Sequence, residues 1–117
     1  ITDIRKTAEL AHKNGAILVV DNTFLTAYYQ KPLLLGADVV IQSGTKFLAG
    51  HNDTLAGFVT TSNEKIAEDM TYITKTTGAM LSPFEAELLW ASENPRTFPP
   101  SSYIAASKLS LVLVDGS

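Results

Sequence analysis

The sequence predicts an α/β fold built on parallel strands. Two apolar segments, 16–20 and 37–42, lack the polar–apolar alternation of a half-exposed strand, which is typical of parallel strands covered on both faces. Between them, Pro32 opens a short helical segment that Gly36 closes. A connection that contains helix is what two parallel neighbours require.

Helix caps and breakers predict the elements on either side. Thr2 or Asp3 caps a first helix that stops near Asn14-Gly15. Residues 55–61 form a third strand candidate, close enough to the second strand to need no long crossover.

The second half of the chain begins with helices and then changes character. Ser62 or Asn63 caps a helix over roughly 64–75, and Pro83 begins another that runs to Trp90. Residues 92–102 are rich in Ser, Pro and Asn and predict a loop or tail. Residues 109–114 could form a strand, for which the sequence shows no partner.

Composition excludes several classes of function. The chain has 117 residues, 45% apolar and 18% charged, which is typical of one globular domain. A net charge of -3 without a basic run predicts neither a nucleic-acid partner nor an anionic membrane partner. The absence of cysteine excludes disulfides and thiolate sites and fits a cytoplasmic protein. The first residues are neither a secretory signal nor an initiation site, so we expect the chain to be part of a longer protein.

Chemically useful residues follow both predicted parallel strands. Asp21 ends the first, and Ser43-Gly44-Thr45-Lys46 follow the second. Ligands of open α/β sheets bind at the carboxyl ends of the strands. A lysine amine forms an imine with the aldehyde of pyridoxal phosphate, and a carboxylate holds its ring nitrogen protonated. Hydroxyl and backbone N–H groups beside the glycine would bind the phosphate.

Taken singly, these residues have ordinary structural interpretations. A strand-ending Asp is usually a turn or cap residue, a lone Lys is usually a surface charge, and Ser43 and Thr45 would bond their own backbone. Their convergence at two neighbouring strand ends favours a cofactor site. The cluster at 51–53 suits no common metal ligand set, so we expect no metal.

Three segments together resemble a known family. They are Val20-Asp21-Asn22-Thr23-Phe24, Leu35-Gly36-Ala37-Asp38-Val39-Val40 and Ser43-Gly44-Thr45-Lys46-Phe47-Leu48-Ala49-Gly50-His51. They are similar to the Cys/Met-metabolism (transsulfuration) family of fold-type-I pyridoxal-phosphate enzymes, which includes cystathionine γ-synthase, cystathionine lyases and methionine γ-lyase. The resemblance covers about residues 2–89.

The resemblance implies a fold, a reaction and a role for each site residue. The fold would be an incomplete part of the large cofactor-binding domain, with three layers and a mostly parallel sheet. Lys46 would be the Schiff-base lysine, Asp21 would pair with the ring nitrogen, and Ser43 and Thr45 would contact the phosphate. The reaction would be elimination or replacement at the β or γ carbon of a sulfur-containing or O-acyl amino acid. The longer protein of which this chain is expected to be part would be a homotetramer whose subunits share active sites.

The resemblance does not extend over the whole chain. We expect residues 1–90 to be a partial cofactor domain and 91–117 to be a tail unlike the family, for which a frameshift or truncated reading frame is our hypothesis. One rival interpretation is a non-catalytic remnant that keeps only part of the cofactor site. The other is a nucleotide-binding domain, although the sequence has no Gly-rich phosphate loop.

Overall fold

The computed structural model describes residues 2–92 and 110–114. Helices and strands alternate along most of these residues, as in an α/β fold. The strands are β1 (Val19–Asp21), β2 (Val39–Ser43), β3 (Gly57–Thr61) and β4 (Ser110–Val114). The helices are α1 (Ile4–Lys13), α2 (Thr26–Tyr29), α3 (Glu64–Thr77) and α4 (Pro83–Ser92), and a 3-10 turn spans Pro32–Leu35.

The strands form a mixed sheet in the order β1-β2-β3-β4. β1 and β2 are parallel, with Val19 opposite Val39 and Asp21 opposite Ile41. β3 runs antiparallel to β2, and β4 antiparallel to β3. The expectation of a mostly parallel sheet therefore does not hold within the described residues. The connection between β2 and β3, residues 44–56, contains one short turn and no α-helix, whereas parallel neighbours usually need a crossover that contains a helix.

The structure differs from the sequence-based expectations about the strands in two further ways. The segment 109–114 does have a partner, because β4 pairs with β3 along its whole length. The first strand is shorter than the apolar run 16–20 and begins only at Val19. Ser92, where the predicted loop 92–102 was to begin, still belongs to α4. The rest of that loop, and most of the predicted tail 91–117, lie outside the described residues.

Side-chain caps fix the starts of the longer helices. Of the two alternatives for α1, Asp3 accepts the capping N–H bond at 3.2 Å. Asn63 does the same at 3.2 Å for α3. Pro83 occupies the first turn of α4, where Ser82 accepts the N–H of Glu85 at 3.2 Å and its hydroxyl donates back to the carboxylate at 3.1 Å. Ser82 thereby satisfies one of the N–H groups that the first turn leaves without a helical partner.

Two small apolar clusters hold the layers together. The first joins the sheet to α3 and contains Val39, Val59, Ile66 and Met70. The second joins the segment after β2 to β3 and α4 and contains Ala49, Ala56, Phe58, Leu81 and Leu89. Ala49 of the second cluster directly follows the turn that carries Lys46, and α4 contacts that turn.

The parallel strands are less covered than their sequence predicts. The exposed fractions are 58% for Ile17, 45% for Val19 and 41% for Ile41. Packing from α3 reaches the sheet at Val39 and Val59, and no described element covers the exposed side chains. The described residues by themselves therefore cover these strands only in part. None of the described helices combines the length and apolar character that a membrane span requires.

Candidate functional site

The residues predicted to form the site come together through a threonine that the sequence analysis overlooked. Asp21 ends β1 and Ser43 ends the parallel strand β2, so both lie at the carboxyl edge of the sheet. The backbone N–H of Thr23 donates to Oδ1 of Asp21 at 3.0 Å. Oγ1 of Thr23 accepts the backbone N–H of Ser43 at 2.9 Å. Thr23 therefore links the two strand ends.

Asp21 is held in its ionised form. Hydrogen bonding from the side chain of Thr23, and then from its backbone, lowers the pKa of Asp21, and these bonds outweigh the slight burial that raises it. Hydrogen bonds to a carboxylate favour its charged state. Near neutral pH this edge of the sheet consequently carries a fixed negative charge that suits a protonated ring nitrogen.

Lys46 lies in a single wide turn directly after β2. The turn spans Gly44–Leu48 and is closed by a hydrogen bond from the N–H of Ala49 to the carbonyl of Gly44 at 2.8 Å. The backbone of Lys46 departs from helical geometry, with φ −81° and ψ −108°. Its side chain is exposed and makes no hydrogen bond or ion pair with the described residues. The amine is therefore accessible to a reactive aldehyde.

The start of this turn is hydrogen-bonded to Ala56, the residue before β3. The N–H groups of Gly44 and Thr45 both donate to the carbonyl of Ala56, at 2.7 and 3.2 Å. Oγ1 of Thr45 accepts the N–H of Ala56 at 2.9 Å. The expectation that backbone donors beside the glycine bind phosphate is therefore wrong for these two N–H groups, because the edge of the sheet already uses them.

Two hydroxyl protons remain for an anion at this turn. The hydroxyl of Ser43 makes no hydrogen bond within the described residues. The hydroxyl of Thr45 reaches its own acceptor, the carbonyl of Ala56, only at 3.4 Å. Such a long contact is weak, so the proton can rotate toward a stronger acceptor. Ser43 and Thr45 keep the donor capacity that a phosphate group requires.

An aromatic contact joins the two site segments a second time. Phe24 follows Thr23 and Phe47 follows Lys46, and their rings meet edge to face at 6.3 Å between centroids. Edge-to-face pairs at this distance are favourable. The exposed fractions are nevertheless 82% for Phe24 and 54% for Phe47, so the pair forms an apolar rim beside the site.

The donor set fits pyridoxal phosphate. One accessible amine, one ionised carboxylate and two hydroxyl donors match the aldehyde, the ring nitrogen and the phosphate. The described residues contain no group of three or more His, Cys, Asp or Glu side chains that could hold a metal ion. The model of the Cys/Met metabolism PLP-dependent enzyme family matches residues 1–91.

The chain belongs to this family. It is 45% identical over 89 residues to the cystathionine gamma-lyase of Bacillus subtilis, which covers 76% of this chain and 24% of that protein. It is 49% identical over 86 residues to the cystathionine gamma-synthase of Haemophilus influenzae, covering 74% and 23%. The chain therefore spans about a quarter of the length of these relatives.

Solved structures agree with the sequence comparisons. The structure of cystathionine gamma-lyase from Lactobacillus plantarum complexed with L-serine matches with a TM-score of 0.78 and 37% identity, covering 83% of this chain and 26% of that chain. The cystathionine gamma-lyase from yeast matches with a TM-score of 0.76 and 41% identity, covering 81% and 25%. The expectation of a partial domain of a fold-type-I pyridoxal-phosphate enzyme is confirmed, with the smaller mixed sheet described above.

Proposed function

We propose that the protein to which this chain belongs uses pyridoxal phosphate to catalyse elimination or replacement at the β or γ carbon of sulfur-containing or O-acyl amino acids. One observation carries the proposal. An accessible, unpaired Lys46 follows β2, and an ionised Asp21 ends the neighbouring parallel strand, within a segment that the family model matches.

Each site residue has a separate task in this reaction. Lys46 would hold the cofactor through its Nζ, and Asp21 would face the ring nitrogen and favour its protonated form. When bound, the cofactor would supply a sink for the electrons of the substrate carbon that loses a proton. Lys46 would also be the general acid and base that moves that proton. The hydroxyls of Ser43 and Thr45 donate to the phosphate.

The proposal extends to the substrates, the assembly and the location of the complete protein. Cystathionine lyases and synthases are both among them, so the proposal includes either reaction on a small amino-acid substrate. We propose a homotetramer with shared active sites, supported by the large apolar side chains exposed beside the site, Phe24 and Phe47. We also propose a cytoplasmic location, which the absence of cysteine supports.

One alternative has support of its own. The described residues supply a lysine, a carboxylate and two hydroxyls, which is part of a cofactor site and includes no group assigned to the substrate. A non-catalytic remnant would keep this part of the cofactor site and bind no substrate. Cofactor binding without turnover would favour it.

The test is an assay of the complete gene product with pyridoxal phosphate. Release of ammonia or a 2-oxo acid from cystathionine, methionine and O-acetylhomoserine should depend on the cofactor and be abolished by Lys46→Ala. Lys65→Ala is the matched control, because the Lys65 side chain is 84% exposed on α3 and should leave turnover unchanged. Equal loss in both variants, or turnover without cofactor, would refute the proposal.

A further inference from the structure

Asn22 and Gln30 form a reciprocal pair of amide hydrogen bonds, here called the amide clasp, at the base of the loop that leaves β1. Nδ2 of Asn22 donates to the backbone carbonyl of Gln30, and Nε2 of Gln30 donates to Oδ1 of Asn22, both at 2.9 Å. Asn22 is buried, with 2% of its surface exposed. A buried amide costs free energy unless it is hydrogen-bonded, and here the oxygen and the nitrogen both have a partner. The amide clasp therefore closes residues 22–30 into a loop with a fixed base.

A strained residue inside this loop is held by both members of the amide clasp. Thr26 has a φ of 55°, which is unfavourable and rare for a β-branched side chain. Its N–H donates to the carbonyl of Asn22 at 2.9 Å, and its carbonyl accepts the N–H of Gln30 at 3.1 Å. Such a backbone conformation persists only where its surroundings hold it in place. Asn22 and Gln30 therefore fix the path of the chain between them.

The loop base is also connected to the proposed cofactor site. The N–H of Asn22 donates to the carbonyl of Ile41 at 2.8 Å, which continues the pairing of β1 with β2 one residue beyond Asp21. At the next residue, the N–H of Thr23 donates to Oδ1 of Asp21 at 3.0 Å. Oγ1 of Thr23 accepts the N–H of Ser43 at 2.9 Å. The backbone donor that orients Asp21 thus directly follows the buried amide of Asn22.

We propose that Gln30 is a positioning residue, which orients the Asp21 carboxylate toward the cofactor through the amide clasp with Asn22. This inference rests on the proposed function, in which Asp21 faces the ring nitrogen. Without the Gln30 side chain, the buried Oδ1 of Asn22 loses its donor, and such an unsatisfied acceptor is costly. The loop base then opens more often and the N–H of Thr23 leaves Asp21, although the carboxylate and Lys46 are themselves unchanged.

Gln30→Met in the complete gene product removes the amide and keeps a side chain of similar length. In the cofactor-free protein, hydrogen exchange at the N–H of Thr23 should become about tenfold faster, because the loop opens more often. The pKa of the Asp21 carboxyl, measured by carbon NMR, should rise, because a hydrogen bond to a carboxylate favours its charged form. With cofactor bound, kcat should fall about threefold to tenfold with little change in KM.

Two further variants make the test specific to the amide clasp. Gln30→Lys keeps a donor of similar reach at this position, so exchange at the Thr23 N–H should return toward the wild-type rate. Gln42→Met makes the same chemical change at a glutamine whose side chain has no hydrogen-bond partner among the described residues. This matched control should leave both the exchange at Thr23 and the pKa of Asp21 unchanged.

Gln30→Ala serves in place of Gln30→Met if the latter folds poorly, because it removes the donor without adding bulk. An exchange rate at Thr23 or an Asp21 pKa that stays at its wild-type value in a folded donor-free variant would overturn the proposal. Changes of equal size in Gln42→Met would also overturn it. Failure of the wild-type protein to take up cofactor at Lys46 would instead refute the proposed function, while the cofactor-free measurements still decide whether Gln30 orients Asp21.

Discussion

A methyl group added at Gly44 should destabilise the lysine turn. The φ of Gly44 is not among the positive values of this chain, so the position requires space rather than an unusual backbone conformation. A Cβ there would lie 2.7 Å from Cε2 of Phe58, 2.8 Å from Cβ of Ala56 and 3.2 Å from the Ala56 carbonyl oxygen. The phenyl ring can shift, but the two Ala56 atoms are fixed to the strand edge.

Overpacking of this kind costs about 1–3 kcal/mol. Relief of the contact would separate Gly44 from Ala56 and weaken the hydrogen bond of 2.7 Å between them. We therefore expect Gly44→Ala to lower the free energy of unfolding by about 2 kcal/mol and to slow reaction of Lys46 with pyridoxal phosphate. Urea unfolding of the complete gene product measures the first effect, and hydrogen exchange in residues 43–58 localises it.

A compensating variant makes this prediction specific to crowding. Ala56→Gly removes the methyl carbon that Gly44→Ala would meet at 2.8 Å. The double variant should lose less stability than the sum of the single variants, by about 1 kcal/mol. Strict additivity, or an unchanged free energy of unfolding in Gly44→Ala, would refute the packing explanation.

Three other predictions concern charge and completeness. Asp21→Asn should retain the cofactor but lose turnover about tenfold to hundredfold, because a charge-assisted hydrogen bond contributes about 1.5–3 kcal/mol; parallel absorbance and kinetic measurements test this. The pKa of Asp38 is lowered overall. Burial raises this pKa, but hydrogen bonds from the Leu18 N–H and from His12, together with the charge of His12, lower it by more. Asp38 therefore stabilises the fold above its ordinary pKa of 3.8, and this contribution is lost as the pH falls through the lowered value. Urea midpoints between acid and neutral pH should show that dependence in wild type and a weaker one in Asp38→Asn, where the lowered pKa of Asp21 still contributes. The isolated chain of 117 residues should be inactive and should associate through its exposed apolar strands, as ammonia-release assays and light scattering would show.

Each of these predictions has an outcome that contradicts it. Unchanged turnover with normal cofactor content in Asp21→Asn would remove that carboxylate from the site. An equal acid response with and without Asp38 would show that its contact with the Leu18 N–H, at 2.7 Å, does not control acid stability. A monomeric isolated chain with cofactor-dependent turnover would show that these 117 residues suffice for catalysis.

The strand ends were predictable because their chemistry is local in sequence. Asp21 directly follows an apolar run, and Lys46 follows the next one after a few small polar residues. Strand pairing carries such residues to one edge without further information. The helix starts were predictable for the same reason, since caps at Asp3 and Asn63 depend only on neighbouring N–H groups.

The features that were missed depend on contacts between distant segments. The sequence gives no sign that Ala56 accepts the N–H groups of Gly44 and Thr45, because this follows from how β3 meets β2. The role of Thr23 had a partial signal: a hydroxyl residue two positions after Asp often closes a local turn. Its second contact, with Ser43, required the parallel pairing of β1 and β2.

The sheet topology could be predicted only in part, because it too depends on contacts between distant segments. Uninterrupted apolar runs favour parallel strands, and β1 and β2 do pair that way. The antiparallel direction of β3 follows from the connection 44–56, which contains no α-helix that could return the chain for parallel pairing. The partner of β4 lies far away in sequence, so no local pattern could identify it.

The central claim is that Lys46 holds the cofactor, and covalent trapping tests it most directly. The complete gene product is incubated with pyridoxal phosphate, reduced with borohydride, digested and mapped by mass spectrometry. The pyridoxyl group should be found on Lys46, and the labelling should disappear in Lys46→Ala. Labelling of Lys31, Lys65 or Lys75 instead, at a level that Lys46→Ala does not reduce, would contradict the account.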